Sequence, residues 1–347
     1  KPLSKRMCID YRGVNALLPP VAKAGSNAKG VLTLIPLPKI DEVYARLHGS
    51  KIYSTLDMRM GYHHIRLDKD SQPKSAFVTR FGKFQWNRVP FGLAQAPAYF
   101  QHMINIVIAG LDFAFGYIDD VLIFSKDEEE HLDHLRQVFE RMLEHGFKLK
   151  FAKCQFFKKH LQYLGHVISG EGLAPVPDKV EAVRNLPRPT TIKEIRQALG
   201  LIGYYRKFIP RYATLTAPIT NLLKKDVEFV WTDQCARAYE ELKVALSSAP
   251  ILKYPDPTKP YKLFTDASKY AWGAILTQAY EYSDENGTVQ LDHPIHFLSG
   301  TFHNAQIRWP ALTKEAFAIY ISMKKLSFYL TESELSIYCD HLPLRKF

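Results

Sequence analysis

Asp119 and Asp120 stand side by side in GYIDDVLIF, between one apolar run at Phe113, Ala114, Phe115, Tyr117 and Ile118 and a second at residues 121–124. Each run has the length and composition of a largely buried strand. Two carboxylates inside a core need a compensating partner. At the tip of a hairpin they project into a cleft instead, where hard oxygen ligands hold a cation. Asp57 ends another apolar strand-like run, residues 52–56. If that strand lies beside the hairpin, two or three carboxylates converge at one sheet edge. Like charges so close repel and raise a pKa. Mg2+ resolves the conflict while keeping waters and substrate phosphates as its other ligands. Two such ions a few ångströms apart stabilise both the attacking and the leaving oxygen in phosphoryl transfer. A lone strand-end Asp is usually a turn residue; a Y-x-D-D tetrad in an apolar hairpin with an upstream strand-end Asp is far more specific.

The elements that must position these acids follow from periodicity. From residue 6 to about 170 the pattern mixes strand and helix. KIYSTLDMRMGYHHIRL alternates as a strand ending near Asp57, and SAFVTRFGKFQWNRVPFG reads as a hairpin turning at Gly82. APAYFQHMINIVIAGL sets Phe100, Met103, Ile104, Val107 and Ile108 at helical spacing. KDEEEHLDHLRQVFERMLEHG is expected as a helix capped by Asp127, with Glu128 to Glu130 at its positive end and Gly146 as its stop. Its expected core stripe is Leu132, Leu135, Phe139, Met142 and Leu143. The acidic run is helix-end electrostatics rather than a metal site, and His131 and His134 read as an ordinary pair on an exposed helix. Beyond the Gly/Pro connector GEGLAPVPDK, helices are expected around 192–208 and 233–248. After APILKYPDPTKP the period changes: YKLFTDASKYAWGAIL reads as strand, turn, strand. WPALTKEAFAIYISMKKLSFYL reads as a helix with Leu312, Ala316, Ile319 and Met323 on one face, and SELSIYCD as a strand ending in an acid.

The 347 residues, 46% hydrophobic and 23% charged, suffice for a substantial core and two or more domains. A net charge of +11 favours an anionic partner, with nucleic acid the commonest. Cys8, Cys154, Cys235 and Cys339 lie far apart, with no C-x-x-C pair, so neither a zinc framework nor a disulfide scaffold is indicated; a reduced, intracellular protein is expected. The most apolar stretch, residues 104–118, contains Asn105 and Asp112 and is too short to span a bilayer. A start at Lys1 leads to the expectation of a fragment of a longer chain.

The order RMCIDYRGVN, LDMRMGYHHIRL, SAFVTRFGKFQWNRVPFGLAQAPAYFQ, YIDDVLIFS and LGHVIS resembles the reverse transcriptase of a gypsy-type (Metaviridae) LTR-retrotransposon Pol polyprotein. IRQALGLIGYYRKFIP and APITNLLKK resemble that family's connection segment, and KLFTDASKYAWGAILTQ through SIYCDHLPL its ribonuclease H. The resemblance implies an α+β multidomain fold, a right-hand polymerase of fingers, palm and thumb followed by a truncated ribonuclease H-like α/β domain. Residues 1–170 would be fingers and palm, 171–257 a helical thumb or connection, and 258–347 a C-terminally incomplete ribonuclease H-like domain.

Carried over residue by residue, the resemblance makes Asp57, Asp119 and Asp120 the polymerase metal carboxylates. It makes Asp266, Glu315 and Asp340 three of the four ribonuclease H acids, with two Mg2+ per site and Mn2+ as an alternative. Tyr62, five positions past Asp57, matches the aromatic gate whose ring collides with a ribose 2′-hydroxyl. Arg6 matches the fingers arginine on the incoming triphosphate, where a bidentate fork suits phosphate oxygens. Phe91, Gly92 and Tyr117 would line the substrate pocket, and Lys153 matches a lysine that assists the leaving pyrophosphate, a role weighed against that of a solvated lysine. Leu164 and Gly165 match the primer-grip turn.

The implied activity is RNA- and DNA-directed DNA synthesis from dNTPs, on an RNA template with a DNA primer and an RNA–DNA hybrid as partners, in cytoplasmic particles. Departures accompany it. The stretch 17–41 is longer than the usual connection and reads as a basic loop. The first fingers strands are missing, and Lys1 and Lys5 are only neighbours of the triphosphate-binding lysine, which puts nucleotide affinity in doubt. The fourth ribonuclease H acid would lie beyond Phe347, so that hydrolase is expected to be weak or inactive. Two other readings stay open. An RNA-synthesising palm polymerase is opposed by Tyr62. A silent nucleic-acid-binding subunit is opposed by the retained acids.

Overall fold

The computed structural model describes residues 8–17, 38–225, 227–284, 287–303, 305–341 and 343–344. Lys1, Lys5, Arg6 and residues 18–37 of the basic loop lie outside them. The chain divides into two compact units, Lys1–Val43 with Gly49–Leu161, and Tyr44–His48 with Gln162–Phe347.

The first unit opens with two short helices, α1 (Arg12–Leu17) and α2 (Ile40–Ala45), the division falling within α2. Alternating apolar residues then give β1 (Ile52–Asp57). A small hairpin follows, β2 (Phe77–Thr79) and β3 (Gly82–Phe84). Thr79 pairs with Gly82, so the turn is Arg80–Phe81 and Gly82 closes the ladder instead of forming the bend. Next come α3 (Ala96–Val107), β4 (Ala114–Tyr117), β5 (Asp120–Ser125), α4 (Glu128–Glu144) and β6 (Gln155–Lys158). The sheet runs β4-β5-β1-β6. β1 and β5 are antiparallel, in register from Ile52↔Ser125 to Asp57↔Asp120. Leu56, Val121 and Ile123 of the sheet pack with Phe100, Ile104 and Val107 of α3 and with Leu135, Val138 and Met142 of α4, each buried apolar side chain contributing about 1.5–3 kcal/mol.

α4 starts as its sequence requires: the Asp127 side chain accepts from Glu130 N, and Glu128, Glu129 and Glu130 fill the first turn. Its inner face differs from the expected stripe. Leu132, Phe139 and Leu143 are exposed, while His131, Leu135, Val138 and Met142 are buried. His131 decides the rotation: Ser54 Oγ lies 2.6 Å from its Nε2 and Ser125 Oγ 2.7 Å from its Nδ1. An imidazole satisfied at both nitrogens is a core group, not half of a surface pair.

The second unit begins with a three-stranded sheet, β7 (His160–Tyr163), β8 (His166–Ser169) and β9 (Gly172–Pro175), the division falling within β7. Helices α5 (Pro177–Arg184), α6 (Ile192–Gly203), α7 (Tyr212–Asn221) and α8 (Asp233–Ser247) follow. Thr191 and Thr232 cap α6 and α8 through their side chains. The helix expected to reach residue 208 ends at Gly203, and a separate 3-10 turn spans Arg206–Phe208. Strands β10 (Tyr261–Ala267), β11 (Ala271–Asp284) and β12 (Gly287–Thr301), helix α9 (Ala311–Leu330) and strand β13 (Leu335–Tyr338) complete the unit. The sheet order is β12-β11-β10-β13, with β13 parallel to β10.

α9 also turns a different face inward. Leu312 and Met323 are exposed, while Glu315, Ala318, Ser322 and Leu326 are buried. The stripe is rotated toward Glu315, whose carboxylate reaches the end of β10. Among the described residues no helix is long and apolar enough to cross a membrane.

Candidate active site

The β1–β5 register brings Asp57 directly opposite Asp120, with Asp119 in the two-residue turn after Tyr117. That turn is tight. Ile118 takes a φ of 51°, left-handed backbone that a β-branched residue rarely adopts. Met58 N donates to Asp119 O at 3.1 Å, fastening the turn to the end of β1. Partial desolvation, then the charges of Asp57 and Asp119, raise the Asp120 carboxyl above its ordinary value, with Lys153 opposing them. Lys153 Nζ lies 2.8 Å from Asp57 Oδ2. The lysine that the resemblance assigned to the leaving group therefore also serves as counter-ion to a candidate metal ligand.

Tyr62 sits in the 3-10 turn Gly61–His64 that follows Asp57 by a few residues. Its ring centroid is 5.3 Å from that of Phe91 and 5.8 Å from that of Phe100. Burial, then the charge on Asp119, raise its phenol pKa. The turn is anchored by His64, whose Nδ1 lies 2.9 Å from Gly61 O and whose Nε2 accepts from Lys148 N at 3.0 Å. Those partners require Nδ1 to carry the proton, and burial holds the His64 pKa below its usual value.

Two functional residues escaped sequence reasoning here. Gly61 has no room for a side chain, because a Cβ there would overlap Asp119 Oδ1. Asn15 of α1 clasps the loop carrying Phe91: its Nδ2 donates to Gly92 O and its Oδ1 accepts from Ala94 N, both at 2.9 Å. Gly92 has a φ of 100°, and a Cβ on it would lie 3.0 Å from Ile9 O. Glycine spacing could have flagged Gly61; nothing local flags an asparagine whose partners are backbone atoms far along the chain.

The first unit thus gathers Asp57, Asp119, Asp120, Tyr62, Phe91, Gly92, Tyr117 and Lys153 on linked elements, while Arg6 falls outside the described residues. Leu164 and Gly165 belong to the second unit, where they form the β7–β8 turn with φ values of 43° and 71°. Tyr204 OH donates to Leu164 O at 2.6 Å and Tyr205 OH to Gly165 O at 2.8 Å.

The second unit builds its own acid cluster. Asp266 on β10, Glu315 on α9 and Asp340 just past β13 offer carboxylate oxygens that lie within 4.8 Å of one another. Glu315 Oε1 accepts from Ala267 N at 3.1 Å, while its Oε2 is buried with no hydrogen-bond partner among the described residues. Burial is the main cause that lifts the Glu315 carboxyl above its ordinary value, and Asp340 and Asp266 add to it. An orphaned buried oxygen beside two exposed carboxylates fits a hard divalent cation. The carboxylates of the first unit, balanced by one ammonium, fit the same chemistry.

Residues 1–168 match the family described as reverse transcriptase (RNA-dependent DNA polymerase), and residues 231–337 match the RNase H-like domain found in reverse transcriptase. The chain is 38% identical over 343 residues to the retrovirus-related Pol polyprotein from transposon 297 of Drosophila melanogaster, covering 98% of this chain and 30% of that protein. It is 35% identical to the transposon Tf2-3 polyprotein of Schizosaccharomyces pombe, covering 98% of this chain and 24% of that one. The chain therefore spans about a third or less of these relatives. Among solved structures, the foamy viral protease-reverse transcriptase dRH in complex with dsDNA superposes with a TM-score of 0.82 at 25% identity, over all of this chain and 58% of that one. The same viral protein in complex with an RNA/DNA hybrid gives 0.80 at 24% identity, over 98% of this chain and 44% of that one. A reverse transcriptase domain followed by a ribonuclease H-like domain is thus present, and the chain belongs to the reverse transcriptase family of LTR-retrotransposon Pol proteins.

Proposed function

We propose that this chain carries RNA- and DNA-directed DNA polymerase activity, adding dNTPs to a primer 3′-hydroxyl on an RNA or DNA template. The observation that carries the reading is the Asp57↔Asp120 pairing with Asp119 in the adjoining turn, beside Gly61 and Tyr62. Asp57, Asp119 and Asp120 would hold two Mg2+, or Mn2+ in its place. Bound there, the ions would supply charge stabilisation for the attacking and leaving oxygens. The residues of the chain do the rest. Tyr62, braced by Phe91 and Phe100, presents a ring that excludes a ribose 2′-hydroxyl. Asn15 holds the Phe91–Gly92 loop against that ring. Lys153 neutralises Asp57 and stands ready to meet the leaving pyrophosphate. Arg6 would grip the triphosphate, Tyr117 and Gly92 would line the pocket, and the turn at Leu164–Gly165 would grip the primer. Catalysis then comes mainly from positioning and charge.

The cluster of Asp266, Glu315 and Asp340 would hold Mg2+ for hydrolysis of the RNA strand of a hybrid, an activity expected to be weak or absent in this chain. Within this reading residues 1–170 form fingers and palm, 171–257 thumb and connection, and 258–347 the ribonuclease H-like domain. The net charge of +11 suits an RNA template, a DNA primer and their hybrid as partners. Such a protein would act in cytoplasmic retroelement particles.

Primer extension on an RNA template with Mg2+, supplied with dNTPs or rNTPs, tests the reading alongside Asp119→Asn. Extension with dNTPs alone, lost in the variant, supports it. Extension with rNTPs would instead indicate an RNA-synthesising polymerase. Tight hybrid binding without extension would leave a binding subunit.

A further inference from the structure

Gln101 lies in the middle of α3 and is fully buried, with Asn105 one turn on as its partner within the helix. The rest of its amide is spent on the hairpin. Gln101 Nε2 donates to Gly116 O at 2.8 Å and to Asn105 Oδ1 at 2.9 Å, and Ile118 N donates to Gln101 Oε1 at 2.8 Å. One planar group thus grips the last turn of β4 on both sides of Tyr117. β4 is an edge strand, so backbone groups on its outer side lack a neighbouring strand to bond.

The position gripped is the strained one. Ile118 carries a φ of 51° immediately before Asp119 and Asp120. A β-branched residue in left-handed backbone is strained and persists only where its surroundings over-determine it. Close docking of α3 supplies the rest of that determination, because a Cβ on Gly116 would overlap Ile104 Cγ2. Relaxation of Ile118 would swing both carboxylates that follow it, while leaving the Asp57 strand where it is.

We infer that Gln101 is a positioning residue for the metal-binding hairpin, holding Ile118 in left-handed backbone so that Asp119 and Asp120 meet Asp57. It touches no substrate and acts only through backbone atoms. The inference rests on the polymerase reading above for its kinetic arm and is independent of it for its binding arm.

The test uses the whole chain with Gln101→Met, which keeps the volume and loses both backbone bonds, and Gln101→Glu, which keeps the acceptor for Ile118 N. Asn105→Ala is the control, since it removes only the third bond. Binding of Mn2+ is measured by electron paramagnetic resonance in a Glu315→Gln background that silences the second cluster, and primer extension is followed as a function of Mg2+ in the same proteins. The expected result is Mn2+ binding at the hairpin weakened at least about tenfold in Gln101→Met, with a drop in kcat approaching about 100-fold, the cost of a misplacement of roughly 1 Å. KM for dNTP and affinity for primer–template stay within about threefold of wild type. Gln101→Glu falls between, and Asn105→Ala matches wild type. A folded Gln101→Met with wild-type Mn2+ affinity and Mg2+ dependence overturns the inference. So does loss of the fold in both Gln101 variants, which makes the residue a core group of the fold instead. Absence of extension in the wild-type chain refutes the polymerase reading and leaves the Mn2+ comparison to decide on Gln101.

Discussion

Gly61 and Asp119 pack so closely that a Cβ on the glycine would overlap the carboxylate Oδ1. Gly61 has no left-handed φ among the positive-φ positions of the chain, so backbone strain is not what demands a glycine there. The demand is for space beside a candidate metal ligand. Gly61→Ala is expected to displace the carboxylate and lower the extension rate by about 100-fold, with little change in melting temperature. A variant as active as wild type would show that Asp119 has room to move.

Tyr62 owes its orientation to Phe91 and Phe100. Tyr62→Val should keep dNTP incorporation and lower the preference for dNTP over rNTP at least about tenfold, or 1.4 kcal/mol. The ratio of kcat/KM values for the two nucleotides reads this directly; an unchanged ratio would assign discrimination elsewhere.

Lys153 and Asp57 form an ion pair at 2.8 Å in which the lysine remains more than half exposed. Such pairs contribute about 0–1 kcal/mol, so Lys153→Met should leave the melting temperature within about 2 °C. Its effect belongs to the metal. Without a competing ammonium on Asp57, the Mg2+ concentration for half-maximal activity should fall, while kcat falls as well. A rise in that concentration would rule out competition.

Glu315 holds a buried oxygen with no partner among the described residues, and its carboxyl is raised by burial and by two neighbouring acids. In an Asp119→Asn background, Glu315→Gln should raise the metal-free melting temperature of the second unit. Mn2+ at a hundredfold excess over its Kd should stabilise the parent by about 2.7 kcal/mol and the variant hardly at all. Equal stabilisation of both would remove Glu315 from the metal site.

His131 is fully buried and its pKa is lowered from 6.5 to about 4, by burial first and by His134 second, with Glu130 opposing. Its imidazole faces Ser54 and Ser125, whose hydroxyls lie at its two ring nitrogens. Because the folded value lies below the unfolded one, the unfolded chain binds the extra proton. The contribution is complete above pH 6.5 and is lost as pH falls toward 4, on the order of 3 kcal/mol. Urea unfolding at several pH values should show His131→Gln less stable at neutral pH but with a shallower decline on acidification. Parallel declines would contradict the assignment.

The acids were legible because they interrupt apolar strands: Asp57, Asp119 and Asp120 each end or begin a run whose period is plain, and Asp127 and Gly146 mark their helix as caps do. Rotations of helices were not legible. α4 offers Leu132, Phe139 and Leu143 as readily as Val138 for burial, and the choice fell to hydrogen bonds between His131 and serines on β1 and β5. In α9 the choice fell to Glu315, a charge that hydrophobic patterning sends outward. Residues that act on distant backbone, Asn15 and Gln101, leave no local trace because their partners are identical in every amino acid.

The pairing of Asp57 with Asp120 carries one more consequence. Side chains alternate faces along a strand, so a slip of one residue between β1 and β5 would send Asp57 to the opposite face of the sheet. A slipped chain would keep much of its helix and strand content, and circular dichroism would see little wrong with it. Metal binding at the hairpin would be gone, while the Asp266–Glu315–Asp340 cluster would keep its own. Divalent-cation affinity, read with the second cluster silenced by Glu315→Gln, is therefore a stricter quality check on refolded or recombinant protein than any spectroscopic measure of secondary structure, because it counts only those molecules in which two strands have found their correct alignment.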